Sequence, residues 1–141
     1  MEPLHHEVTV ACDRASAFRL FTTGLGSWWD AAYSPDAATF TGAEVEPRVG
    51  GAVALLHGER RFRFGEVLVW DRPAHYAQSF WLSMDAAHPT RLDVRFEEED
   101  GVCTVFFDHG GWTEHTVAHR ARLGDWSHLL GRFARAAAEL G

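Results

Sequence analysis

The chain has 141 residues, a formal net charge of −7 with histidines neutral, and 46% hydrophobic residues, six Trp and ten Phe among them. That length fits one domain over residues 1–141 and buries roughly 68–70% of the unfolded chain's surface, so a substantial core is expected. The negative charge repels phosphate backbones and excludes nucleic-acid binding as a first reading; without a long apolar run or an apolar leader, the expected setting is the cytoplasm, away from membranes.

Taken in order, His6 to Ala11 alternates and is rich in Val and Thr, which predicts a strand. Asp13 is a candidate N-cap for a short helix over Ala15 to Thr22, with Ala17, Phe18, Leu20 and Phe21 as its apolar stripe and Thr23-Gly24 as its stop. The pair Trp28-Trp29 follows in a second short helix or a loop. From Thr39 the texture becomes six strands: Thr39–Glu46, Ala52–His57, Phe62–Trp70, His75–Leu82, Thr90–Glu97 and Val102–Gly110. Turn residues separate them: Gly50-Gly51, Gly58-Glu59, Arg72-Pro73, Ala87-His88-Pro89 and Glu99-Asp100-Gly101. Short strands so spaced predict an antiparallel meander. From Trp126 the period changes. Trp126, Leu129, Leu130, Phe133, Ala137 and Leu140 fall on one face of a long helix with Asp125 as candidate N-cap. Buried side chains such as these are worth roughly 1.5–3 kcal/mol each, so the helix must dock, and the sheet is its expected partner.

This order, with the phrases Glu46-Pro47-Arg48-Val49-Gly50-Gly51 and Gly65-Glu66-Val67-Leu68-Val69-Trp70 before a proline turn, resembles the helix-grip fold of the START-like, birch-pollen-allergen-like (SRPBCC) superfamily. His109-Gly110-Gly111-Trp112 and Gly124-Asp125-Trp126 narrow the resemblance to the branch of homologues of the activator of heat-shock-protein ATPase. The resemblance implies an α+β fold: a curved antiparallel sheet of about seven strands wrapped around the C-terminal helix, with a cavity between them for a lipid, polyketide or other hydrophobic molecule. It also implies that the first and last strands pair, bringing Cys12 near Cys103 as free thiols.

Within that frame the candidate ligand-contacting residues are Trp28 and Trp29 over the cavity mouth, Phe62, Phe64, Trp70 and Phe80 on the strands, and Trp126, Leu130 and Phe133 on the helix. On Phe62–Trp70, strict alternation puts Phe62, Phe64, Glu66, Leu68 and Trp70 on one face. His109 is a candidate polar handle or general acid/base, and Glu66 an alternative polar contact. His115 and His119, four apart beside Glu114, are a weak metal pattern; no metal or cofactor is expected, and no catalytic motif such as a nucleophile elbow or phosphate-binding loop occurs. Arg60-Arg61-Phe62-Arg63 reads as a solvated strand edge. Three functions stay open: binding of a small hydrophobic ligand; a polyketide cyclase- or dehydratase-like enzyme using the same cavity with His109 moving protons; and a co-chaperone-like or homodimerising interaction domain with a filled core.

Overall fold

The computed structural model describes residues 2–82, 84–120 and 125–140. Its first strand, β1 (Leu4–Val10), leads into helix α1 (Arg14–Phe21). Asp13 caps α1 as expected, its Oδ1 accepting the Ser16 amide at 2.7 Å. The Thr22 hydroxyl donates back to the Phe18 carbonyl at 2.7 Å at the helix end. Two single turns of 3₁₀ helix, Leu25–Ser27 and Ala31–Tyr33, then bracket Trp28-Trp29.

Six further strands follow: β2 (Gly42–Val45), β3 (Ala52–His57), β4 (Arg60–Asp71), β5 (His75–Phe80), β6 (Thr90–Glu99) and β7 (Val102–Gly110). They form a seven-stranded antiparallel sheet in the order β1-β7-β6-β5-β4-β3-β2. A four-residue helix, α2 (Val117–Arg120), and the long helix α3 (Trp126–Ala138) complete the chain. This is the helix-grip architecture: a half-barrel of sheet curled around a C-terminal helix.

Several elements depart from the sequence expectation, among them the strand expected over His75–Leu82, which ends at Phe80. The strand expected over Thr39–Glu46 contracts to β2, because Asp36 captures the residues before it: its carboxylate accepts the Ala38 amide at 3.1 Å and its carbonyl accepts the Thr39 amide. Helix α3 ends at Ala138, and Leu140 lies outside it, 55% exposed. Strand β4 carries two irregularities: Val53 pairs with Gly65 but Ala54 with Arg63, and Val67 pairs with Gln78 but Val69 with Ala77. Phe64 and Leu68 are the extra residues. Each bulge shifts the alternation by one. The first turns Glu66 outward, where it pairs with Arg63 at 3.1 Å, and Val67 inward; the second restores the phase, so Trp70 packs on the core.

Gly50 and Gly51 hold the first bulge in place. The Gly50 amide donates to the Val67 carbonyl at 2.8 Å and the Val67 amide donates to the Gly51 carbonyl at 2.9 Å. Gly50 takes a φ of +86°, which disfavours any side chain there.

The core between sheet and α3 is aromatic. Phe18 and Phe21 of α1 meet Trp70, Tyr76, Phe96, Phe107 and Phe133 in edge-on or tilted contacts, with centroids 5.1–6.4 Å apart. Cys12 and Cys103 are both buried free thiols; Val10 pairs with Cys103 across β1 and β7, which sets Cys12 beside the same strand end. Burial, then the proximity of Cys12, raises the Cys103 pKa to about 11.

At Gly65 an added Cβ would fall against the Ser79 carbonyl and 2.6 Å from Gln78 Nε2, both part of β5. Gly65→Ala is therefore expected to cost about 2–3 kcal/mol of unfolding free energy in a urea titration. Gly58→Ala, where the φ is +65° but the space is open, should cost only about 1 kcal/mol. Both thiols should stay unreactive toward a thiol reagent in the native protein and titrate fully in denaturant.

Candidate functional site

The end of the grip at the start of α3 is an open cleft of about 50 Å³. Three parts of the chain meet there. Trp29 and Tyr33 come from the segment after α1, Phe80 and Leu82 from the end of β5, and Asp125, Trp126 and Leu129 from the first turns of α3. A single water needs roughly 10–15 Å³, so the cleft has room for a small end group. It is far smaller than the roughly 300–1,000 Å³ of a pocket that encloses a whole drug-sized ligand.

The walls are carbon because the polar atoms of the rings are occupied elsewhere. Trp29 Nε1 donates to the Tyr33 carbonyl at 3.2 Å, and Trp126 Nε1 donates inward to His109 Nδ1 at 3.0 Å. At the rim the Tyr33 hydroxyl donates to Asp125 Oδ2 at 2.7 Å, which raises the tyrosine pKa. Asp125 is at the N-cap position of α3, as expected, but makes no side-chain cap. Beside it His128 Nε2 bonds Asp30 Oδ2 at 2.8 Å, holding the Asp30 carboxyl below its usual range.

His109 lies beneath the cleft with no exposed surface. Its tautomer follows from its neighbours. An indole N–H only donates, so Nδ1 must accept from Trp126. The Thr90 hydroxyl donates its one proton to the Phe80 carbonyl at 2.8 Å, so it accepts from His109 Nε2–H at 2.7 Å. Burial lowers the His109 pKa to about 3. The imidazole is neutral, with both nitrogens bonded and no path to the cleft. A general acid/base role has no geometric support; in the structure the residue ties α3 to three strands.

Of the ten sequence-predicted contacts, Trp29, Phe80 and Trp126 line the cleft. Phe64 stands behind them, its ring 5.9 Å from Trp29 and 5.7 Å from Phe80. Trp28, Leu130 and Phe133 are core: Trp28 donates to the Leu20 carbonyl at 2.9 Å and meets Phe133 at 5.4 Å. Trp70 closes the opposite end against Phe18. Phe62 lies at the β3–β4 tip, 5.0 Å from His57 and beneath the Arg60 guanidinium. Tyr33, Leu82 and Leu129 were not singled out as contacts. Tyr33 stands in a single 3₁₀ turn with no periodicity to mark it, while Leu82 had the strand alternation after Phe80 and Leu129 its helical spacing as signals. His115 precedes α2 and stacks on His88 at 3.9 Å, so it shares no helical face with His119. Among the described residues no group of His, Cys, Asp and Glu is arranged to hold a metal, and no helix is long and apolar enough to cross a membrane.

A half-barrel gripping one long helix, with a small carbon-walled cleft at the helix start, defines a member of the SRPBCC superfamily. The sequence model of one family within it, Activator of Hsp90 ATPase homolog 1-like protein, matches residues 11–138, and the chain belongs to that family. Among solved structures, it is similar to the Aha1 dimer from Colwellia psychrerythraea, at 19% identity over 97% of this chain and 96% of that one, with a TM-score of 0.69. It is also similar to CalC, a self-sacrificing resistance protein from Micromonospora echinospora, at 24% identity over 99% and 96% of the two chains and a TM-score of 0.73. The anthrahydroquino-gamma-pyrone synthase Txn09 aligns at 22% identity over 96% of each chain with a TM-score of 0.65. These identities establish the shared fold. A comparison with curated proteins finds no match.

The neutral state of His109 makes folding sensitive to acid. The unfolded chain takes up a proton below about pH 6.5 while the folded one resists it to about 3. The stabilisation is complete above pH 6.5 and is lost as pH falls toward 3, by on the order of 5 kcal/mol in total. Unfolding free energy measured in urea should decline over that window. In His109→Gln the decline should be shallower, with lower stability at neutral pH from the disturbed bonds to Trp126 and Thr90.

Proposed function

We propose that the protein binds a small hydrophobic molecule by taking its apolar end into the cleft between β5 and α3. The observation that carries this reading is the cleft itself: an open, carbon-walled recess with Trp29, Phe80, Trp126 and Leu129 around it, in a family whose fold supports ligand binding generally. Lipid-, polyketide- and aromatic-like molecules share the required end group. The site holds one end of such a molecule, because Phe64, Phe107, Phe133 and Trp28 occupy the interior behind it.

The enzyme reading is weaker. Txn09 is a synthase with the same fold, but in this chain the histidine at the centre of the grip is neutral and fully bonded. The interaction reading keeps one specific support, the aromatic filling of the interior, and the Colwellia psychrerythraea protein is a dimer. Self-association of this chain would be compatible with an open cleft, and sedimentation velocity at micromolar concentration measures it directly.

Uptake of the neutral fluorescent probe N-phenyl-1-naphthylamine tests the binding reading. The native protein should take up one probe per chain with quenching of tryptophan emission. Leu82→Asp, at the rim, should weaken uptake by at least tenfold while leaving the unfolding midpoint within a few degrees. Native protein that takes up no probe would remove the reading.

A further inference from the structure

We propose that the cleft selects ligands that carry an alkylated ammonium group, with the cationic head among the aromatic rings and the rest of the molecule leading out past Leu82. The proposal rests on the cleft being a ligand site and goes on to name what it takes.

Three observations point to a cation. Four of the lining side chains are aromatic, Trp29, Tyr33, Phe80 and Trp126, and ring faces attract ammonium groups, most strongly those whose methyl groups lower their hydration. The size agrees with a small head group, since the cleft of about 50 Å³ admits an end group and not a whole drug-sized molecule. The third is the hydrogen-bonding balance. The indole N–H groups of Trp29 and Trp126 and the hydroxyl of Tyr33 all donate within the protein, so among the described residues the lining offers no free side-chain donor. What is left is acceptor capacity and negative charge on Asp125, whose carboxylate, among the described residues, takes the Tyr33 proton and caps no helix amide.

The surrounding charges agree in sign. Asp30 is held ionised beside His128, and among the described residues Arg132 turns inward to donate to the Trp28 carbonyl at 2.8 Å. The start of α3 would by itself favour an anion. Asp125 occupies that position and opposes it, so an anionic ligand would meet its carboxylate.

The test compares choline with its uncharged carbon isostere, 3,3-dimethylbutan-1-ol, as competitors of N-phenyl-1-naphthylamine on the intact protein, with direct calorimetry of each. Choline should compete at least tenfold better than the alcohol. In Asp125→Asn, which keeps a residue suited to the N-cap position and an acceptor for Tyr33, that preference should shrink at least fivefold. Equal competition by the two, or probe uptake that neither displaces, would overturn the ammonium preference and leave the apolar cleft standing. No uptake of probe and no heat from either compound would overturn both. A preference that survives unchanged in Asp125→Asn would remove the carboxylate from the account and with it the charge argument.

Discussion

A single chain of hydrogen bonds organises the grip. It runs from the Trp126 indole to His109, from His109 to the Thr90 hydroxyl, and from Thr90 to the Phe80 carbonyl. Four elements meet along it: α3, β7, β6 and the end of β5. Every donor and acceptor is matched in one direction only, because indole nitrogen cannot accept and the threonine has one proton to give. A buried network of this kind specifies a geometry where apolar packing alone would allow sliding. It places the start of α3 against the end of β5, and the cleft is the space left between them.

The remainder of the interior is filled by rings. Phe21 touches Trp28, Tyr76, Phe96, Phe107 and Phe133, and Phe107 in turn meets Trp126 at 4.6 Å. The superfamily's cavity is thereby reduced to its mouth. Among the described residues, the space left between the sheet and the start of α3 is room for an end group. The filling also separates two roles that aromatic residues play here: most hold the helix on the sheet, and a few at one end face outward into a site. The polar groups of those few are all bonded within the protein, which makes the site apolar in spite of its tryptophans and tyrosine.

Much of the architecture was legible in the residues. Asp13 and Asp125 marked the helix starts, the helical spacing from Trp126 to Ala137 marked the buried face of α3, and the glycine and proline turns separated the strands. Alternation failed on β4, where the turn at Gly50-Gly51 bonds back to Val67 and the bulges at Phe64 and Leu68 invert and then restore the phase. Period-2 reasoning has no means of registering an extra residue that a neighbouring turn accommodates. The site was half legible. Trp29, Phe80 and Trp126 stood out as aromatics, but Tyr33 and Asp125 form one rim only because residues 92 positions apart in sequence meet across the mouth.

Sequence alone determined the helix-grip order, the family, the pairing of the first and last strands that follows from it, and the aromatic character of the interior. The order of elements and the aromatic load are local or periodic properties, set by propensity, turn chemistry and the spacing of apolar side chains, while the family and the pairing of the end strands came through the resemblance that the turn phrases carry. Tertiary structure alone decided whether an aromatic ring is wall or filler, which tautomer His109 holds, and which way the Asp125 carboxylate turns. Each of those depends on partners far away in the chain, and on whether a proton or a volume is already taken when they meet.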